Sequence, residues 1–388
     1  MAEALFFIPL ALLLHSYVVY PLFVALLASI FGKKYRKDPG YRPTVSVLIS
    51  AYNEEKVIRA TIDALLASDY PPEKLEIIVG SDNSSDRTPE IMNEICAREP
   101  RVKFMQSTSR KGKPGIMNWI AQEAKGEIFV LCDSNMLFDA KAIANLVENF
   151  SDERVGGVSG EIHLKQTELA NQETSYWGFE SWLKLMEGKL GRLIGANGGI
   201  YAIRRENYYR YTEGVPQQDD FITTLKVLTK GSDFTYDRTA FAHEEPSLSN
   251  EIEFKRKKRI LISNLGSLKF LKEYFFPFRS FTAFAVWSHK ILRWMTGTFM
   301  ILMMIGAALL AAPWNLYSVF LAAIAATGLT GLLGGWLNKK GVKIKLLLLF
   351  YYFYGTVLAF ISGTIAFATT KTSATWEPVR SKPGGGRN

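Results

Sequence analysis

The chain has 388 residues, with 46 Lys and Arg against 37 Asp and Glu, a formal net charge of +9 and 48% hydrophobic residues. Its two cysteines, Cys96 and Cys132, exclude a disulfide framework and a cysteine zinc site. The cations gather beside apolar stretches and in the run Lys255 to Arg259, where anionic lipid or a diphosphate accounts for them, which argues against nucleic acid as a partner.

In chain order, the first element is apolar. No charge occurs from Ala4 to Phe31, from Trp294 to Asn338, or from Leu346 to Thr370. A helix needs about 20 apolar residues to cross the hydrocarbon. The outer stretches therefore predict one span each, and the middle one predicts two spans around a turn at Pro313, Trp314 and Asn315. The leader holds only Glu3, and cations follow the first run, which favours an uncleaved anchor over a signal peptide. Lys33, Lys34, Arg36 and Lys37, then Lys290 and Arg293, then Lys339, Lys340, Lys343 and Lys345 place the intervening chain in the cytoplasm by the positive-inside rule. Lys371, Arg380, Lys382 and Arg387 fit that scheme only if the segment around Gly355 and Gly363 is re-entrant, so the side of the tail stays open.

Between the first two apolar stretches, short β-branched runs at Val45 to Ile49, Leu75 to Val79, Val102 to Met105 and Ile128 to Leu131 alternate with helical patterns. These patterns lie at Glu55 to Ala67, Pro89 to Arg98 and Gly115 to Ala124. This order predicts an α/β domain with a mostly parallel, Rossmann-like sheet. Ligands of such sheets bind beyond the carboxyl ends of the strands. Ala51-Tyr52-Asn53-Glu54, Ser81-Asp82-Asn83-Ser84 and Asp133-Ser134-Asn135 follow three of these strands directly. Taken singly, each is an ordinary turn composition.

Taken together, with Lys111-Gly112-Lys113 between the second and third, the clusters resemble family-two inverting glycosyltransferases of the GT-A fold. The likeness is to the membrane-integrated branch of cellulose, hyaluronan, chitooligosaccharide and poly-N-acetylglucosamine synthases. The resemblance implies that Ala51, Tyr52 and Glu54 hold the nucleotide, with the Tyr52 ring on the base. It implies that Asp82 accepts from a uracil N–H, although Gly80-Ser81 stands where many relatives carry a further Asp. Lys113 then reaches toward the donor, with Asn118 on the following helix. Asp133 and Asn135 occupy the place of the DxD pair that holds Mg²⁺ or Mn²⁺ against the diphosphate. Asn135 supplies a neutral oxygen there, which predicts weaker binding of a hard cation, and His243 is a candidate further ligand.

Gly195-Ala196-Asn197-Gly198-Gly199 resembles the acceptor-side loop, where glycines let a sugar ring approach the backbone. In Gln217-Gln218-Asp219-Asp220-Phe221 the resemblance assigns Asp220 as catalytic base and Asp219 to the acceptor side. Arg256 and Arg259, in Arg256-Lys257-Lys258-Arg259-Ile260, share one helical face and could meet the diphosphate together. Ile260 replaces the Trp of the processive Gln-x-x-Arg-Trp motif. Leu268 to Trp294 mixes aromatic and basic residues in the manner of helices lying in a membrane interface.

The resulting division is an anchor at 1–32, a catalytic domain at 40–264, interfacial helices at 265–293, a membrane region at 294–370 and a polar tail at 371–388. The expected activity is inverting transfer from a UDP-sugar to a saccharide acceptor at the cytoplasmic face of the inner membrane, in polysaccharide synthesis and secretion. A non-processive transferase acting on a lipid or polyprenyl phosphate is the alternative. A nucleotide-sensing transporter is a third reading, opposed by the lack of charges inside the spans.

Overall fold

The computed structural model describes residues 1–164, 170–212, 219–244 and 250–369. Its centre is an eight-stranded sheet in the order β3-β2-β1-β4-β7-β6-β8-β5. The strands are β1 (Val45–Ala51), β2 (Leu75–Ser81), β3 (Val102–Gln106), β4 (Ile128–Asp133), β5 (Leu137–Phe138), β6 (Val155–Leu164), β7 (Tyr201–Arg204) and β8 (Asp233–Glu244). β3, β2, β1 and β4 run parallel. β7 pairs antiparallel with β4 and β6, while β6 and β8 run parallel again. The four parallel strands are those that the apolar runs predict. β1, β2 and β4 are buried almost throughout, which is why they read as continuous hydrophobic runs rather than alternations.

Register sets the motifs side by side. Ala51 pairs with Ser81 across β1 and β2, and Ser50 pairs with Asp133 across β1 and β4, so three polar loops leave one edge of the sheet together. The helix Ile58–Leu66 covers the sheet through Ile58, Thr61, Ile62 and Leu65, the i, i+3, i+4, i+7 stripe of an amphipathic helix. It starts later than the pattern at Glu55 suggests, because residues 55–57 form a turn. The helix Gly112–Glu123 instead starts three residues before the expected Gly115, with Gly112 at φ 72°. A Cβ on Gly80 would come within 2.5 Å of Ile116 Cγ2 and 2.7 Å of Ile120 Cγ2. Close packing of this helix on β2 accounts for glycine at that position.

Among the described residues, three helices are long and apolar enough to cross a membrane: Ala2–Phe31, Leu316–Lys339 and Lys345–Thr369. The expected first span of the middle stretch is shorter than the composition suggests. Thr296–Leu310 has 15 residues, about 22 Å at the helical rise. It passes as a span only together with Phe281–Trp294, from which it is bent by 64°. The turn at Pro313 to Asn315 is as expected, with Asn315 capping the next helix by accepting from Ser318 N at 3.0 Å. The helix Lys345–Thr369 runs unbroken through Gly355 and Gly363, so it does not take the re-entrant form; the tail 371–388 lies outside the described residues.

The cations after the first helix are clamped to the α/β domain. Lys33 Nζ lies 2.7 Å from both Asp233 carboxylate oxygens, Lys37 Nζ 2.6 Å from Asp237 Oδ2, and Arg36 N donates to Asp152 Oδ2 at 3.1 Å. The segment expected to be interfacial opens with two short turns, exposes Phe275, Phe276 and Phe278, and continues as Phe281–Trp294. The basic helix Asn250–Ser267 lies against Lys345–Thr369, where Lys257 Nζ donates to Thr356 Oγ1 at 2.9 Å and Leu261 packs at Gly363.

Candidate active site

The loops after β1 and β2 are knitted to each other. Asn53 and Asn83 take left-handed backbone angles, φ 54° and 59°, which Asn tolerates better than most residues. Asn53 N donates to Ser84 Oγ, Ser85 N to Asn53 Oδ1, Glu54 N to Thr88 Oγ1 and Glu55 N to Asp86 Oδ2, all within 3.1 Å. Several motif residues therefore serve to hold the two loops together. Glu54 is buried beside them, and Tyr52 presents its ring.

Asp82 is 3% exposed, and its carboxylate accepts from Arg110 Nε at 2.9 Å, Lys111 N at 2.6 Å and Gly112 N at 3.1 Å. The Arg110 guanidinium carbon lies 3.4 Å from the centroid of the Tyr52 ring. The expectation that Asp82 offers its carboxylate outward to a base is thus modified: protein donors already hold it.

Lys113 Nζ donates to Asp133 Oδ1 at 2.8 Å. Asn118 pins its helix to the chain after β7, donating to Tyr211 O at 2.7 Å and accepting from Tyr211 N at 3.0 Å. Asn135 Nδ2 donates to Glu244 Oε1 at 3.4 Å, so Glu244, which the motif reading leaves out, joins the loop of Asp133. The neighbouring His243 packs edge-on against His163 and Phe241, with ring centroids 5.7 and 5.6 Å away. Among the described residues no three His, Cys, Asp or Glu side chains group to hold a metal. Asp133, Asn135 and Glu244 nonetheless supply the hard oxygen donors that Mg²⁺ or Mn²⁺ takes, and a cationic ammonium already lies on Asp133, so the donor set fits such an ion.

On the other side of this loop lies residues 195–199. A Cβ on Gly199 would come within 2.7 Å of Met136, next to Asn135, and one on Gly198 would lie 3.1 Å from Asp220 Oδ2. Asp220, in the first turn of the helix Asp219–Thr229, accepts from its neighbour Phe221 N at 2.8 Å. The side chain of Asp219 lies outside the described residues. Asn197 is 7% exposed; its amide donates to Gly160 O at 2.6 Å and accepts from Lys184 Nζ. These bonds make Asn197 an organiser of the loop. Burial, then the nearby Lys290 cation, pushes the Lys184 ammonium down to about 8, with Glu180, Asp220 and Glu187 opposing.

Lys184 belongs to a buried cluster that the motifs do not reveal. Glu180 receives Lys290 Nζ at 3.0 Å and Arg293 Nη1 at 2.9 Å, and its carboxylate lies 2.7 Å from His289 Nε2. Glu187 lies 2.7 Å from His289 Nδ1 and accepts from Tyr20 Oη at 2.7 Å. The one available sequence signal is spacing: Glu180, Lys184 and Glu187 share a helical face. Arg256 forks onto Glu253, with Nε at 2.9 Å and Nη2 at 3.2 Å. The Arg259 guanidinium is pushed down to about 10 by burial and by Arg256, with Asp133 opposing. The basic helix thus faces the Asp133 side of the cleft.

A sequence profile described as Glycosyl transferase family 2 matches residues 46–211. A "Probable glycosyltransferase YdaM" of Bacillus subtilis (strain 168) is 29% identical over 261 residues, 62% of this chain and 60% of that protein. A "Beta-monoglucosyldiacylglycerol synthase" of Trichormus variabilis is 27% identical over 185 residues, 45% of this chain and 38% of that one. The chain therefore spans less than two thirds of the length of these curated relatives. Among solved structures, mannosyltransferase PcManGT from Pyrobaculum calidifontis, in complex with GDP-Man and Mn²⁺, superposes with a TM-score of 0.73 at 22% identity. The match covers 95% of this chain and 99% of that one. At that identity the likeness concerns the fold, a GT-A-type α/β sheet with apolar helices at both ends.

Proposed function

From the premise that residues 46–211 are a Glycosyl transferase family 2 domain, we propose that the chain transfers a sugar from a UDP-sugar to an acceptor hydroxyl in one inverting displacement. Asp220 takes the hydroxyl proton as the oxygen attacks the anomeric carbon, and the bond from that carbon to the diphosphate breaks with UDP leaving. Such a displacement needs one base and no second carboxylate nucleophile. A positioned carboxylate contributes about 10²- to 10⁴-fold.

The observation that carries this reading is the loop at 195–199, which has the Asp220 carboxylate against Gly198 and Met136, next to the Asp133 motif, against Gly199. An acceptor lying on this glycine loop would have the Asp220 base on one side and the Asp133 loop, where the donor diphosphate is proposed to lie, on the other. Lys113, Arg256 and Arg259 draw the diphosphate toward Asp133 by charge. Asp133 and Asn135, with Glu244 beside them, would hold Mg²⁺ or Mn²⁺, which when bound neutralises charge on the leaving diphosphate. Asp220→Asn keeps shape and hydrogen bonding but removes basicity. It should abolish transfer while UDP affinity, measured by calorimetry, stays within about two-fold, a shift of about 0.4 kcal/mol. Full turnover in this variant would refute the assignment.

The acceptor is a saccharide in the first reading. One observation favours a membrane-borne acceptor instead: Lys290, on the interfacial helix Phe281–Trp294, reaches the acceptor loop, where a Cβ on Gly195 would lie 3.5 Å from its Cε. A single-sugar product that partitions into organic solvent supports this second reading, and a water-soluble ladder of saccharides supports the first. The juxtamembrane cations support an orientation with the catalytic domain on the cytoplasmic side of the inner membrane, by the positive-inside rule. Protease accessibility in inside-out vesicles tests that orientation.

A further inference from the structure

Arg110 lies on the two groups that the proposed donor site offers to a base. Its guanidinium carbon is 3.4 Å from the centre of the Tyr52 ring, and its Nε donates to Asp82 Oδ2 at 2.9 Å. A nucleobase bound at Tyr52 and Asp82 needs the same two things, a flat π face to lie on and a carboxylate for its N–H. A guanidinium carbon 3.4 Å above the ring centre occupies the place where a base would stack on that face, because two groups cannot share one stacking distance. We propose that Arg110 is a built-in competitor of the nucleobase, which must be displaced from Tyr52 and Asp82 before the donor nucleotide is held; this rests on the reading of those two residues as the base site.

The seat is a specific one. A guanidinium over an aromatic face is attracted by the ring quadrupole, and the same group forms a charge-assisted bond to a carboxylate that is 3% exposed. Asp82 does not depend on Arg110 for satisfaction, since Lys111 N and Gly112 N also donate to it. Arg110 can therefore leave while the loop keeps its anchor. Its side chain is 24% accessible, so an exit toward solvent is at hand. Displacement is a toll common to every base, so Arg110 lowers affinity without setting the ranking among bases. A uracil or guanine ring replaces the lost Nε bond with its own N–H, whereas cytosine and adenine turn a lone pair toward Asp82.

The test uses the full-length protein in detergent with nucleosides, uridine and guanosine, because these lack the phosphates that a liberated Arg110 could contact. In wild type the apparent dissociation constant is raised in inverse proportion to the fraction with Arg110 away from Tyr52. If that fraction is a fifth or less, Arg110→Ala tightens binding of at least one nucleoside about five-fold or more. Arg110→Gln, which keeps a planar donor but drops the charge, should fall between the two and guards against a folding defect in the alanine variant. If no nucleoside binds either variant more tightly than wild type while Tyr52→Ala weakens binding, the competitor role is overturned and the base site stands. If Tyr52→Ala leaves nucleoside binding unchanged, the base-site reading itself fails and the competitor role falls with it.

Discussion

Gly198→Ala is the sharpest probe of the proposed base, because the added atom has one neighbour of consequence. The new Cβ would lie 3.1 Å from Asp220 Oδ2, 3.3 Å from Cγ and 3.6 Å from Cβ. Ordinary carbon contacts settle at about 3.5–4.0 Å, so the carboxylate must retreat by a few tenths of an ångström. No left-handed angle is recorded at Gly198, so the backbone accepts alanine and the perturbation is confined to the pair. Misplacement by 1 Å can cost about 10²-fold in rate, and a displacement near a third of that corresponds to a loss of roughly five-fold. Tyr52 and Asp82 leave other strand ends, so UDP affinity should be unchanged. Initial rates at saturating donor, together with UDP calorimetry, give both numbers. Unaltered turnover would refute the argument that the position of Asp220 limits transfer, and a parallel fall in UDP affinity would show that the change is not local.

Lys184 should leave a signature in stability against pH. Its folded value, about 8, lies below the ordinary lysine value of 10.5, so the unfolded chain holds more protons between these limits and wild type should gain stability as pH rises from 8 toward 10.5. Thermal unfolding of wild type and Lys184→Met in detergent over that range should show the gain in wild type alone; parallel curves would remove Lys184 as the source. Turnover should fall in excess chelator and return with Mn²⁺ or Mg²⁺, and Asn135→Asp should lower the half-saturating metal concentration. Undiminished turnover in chelator would count against the fit of Asp133, Asn135 and Glu244 to a cation.

The parallel half of the sheet was legible because burial on both faces writes β1, β2 and β4 as unbroken apolar runs, and because their polar loops emerge in register. The antiparallel half was not. β7 has four residues and pairs with both β4 and β6, and nothing local in Tyr201–Arg204 records those partners. Side-chain roles split the same way. Tyr52, Asp133 and Asp220 stand at strand or helix ends, where periodicity stops and the motif reading proposes site residues. Which partner a charge takes was hidden: Asp82 on Arg110, and Glu187 on both Tyr20 and His289, are set by packing between distant segments. Apolar composition likewise identified the stretch after Trp294 but could not reveal the 64° bend that precedes Thr296–Leu310.

The clamp between the first helix and the catalytic domain carries a consequence for biosynthesis. Tyr20 meets a residue 167 positions later, Lys33 one 200 later, and Ser16 donates to the carbonyl of Ser288, 272 positions on. A ribosome adding about 5–20 residues per second needs roughly 15–55 s to make that last partner. The first helix therefore reaches the bilayer long before the surface that will grip it exists. During that interval Ser16, Tyr20 and Lys33 must be served by water, lipid headgroups or a membrane chaperone. The sheet, complete once β8 has emerged, can assemble beforehand, so docking of the helix is a late event in the life of the nascent chain.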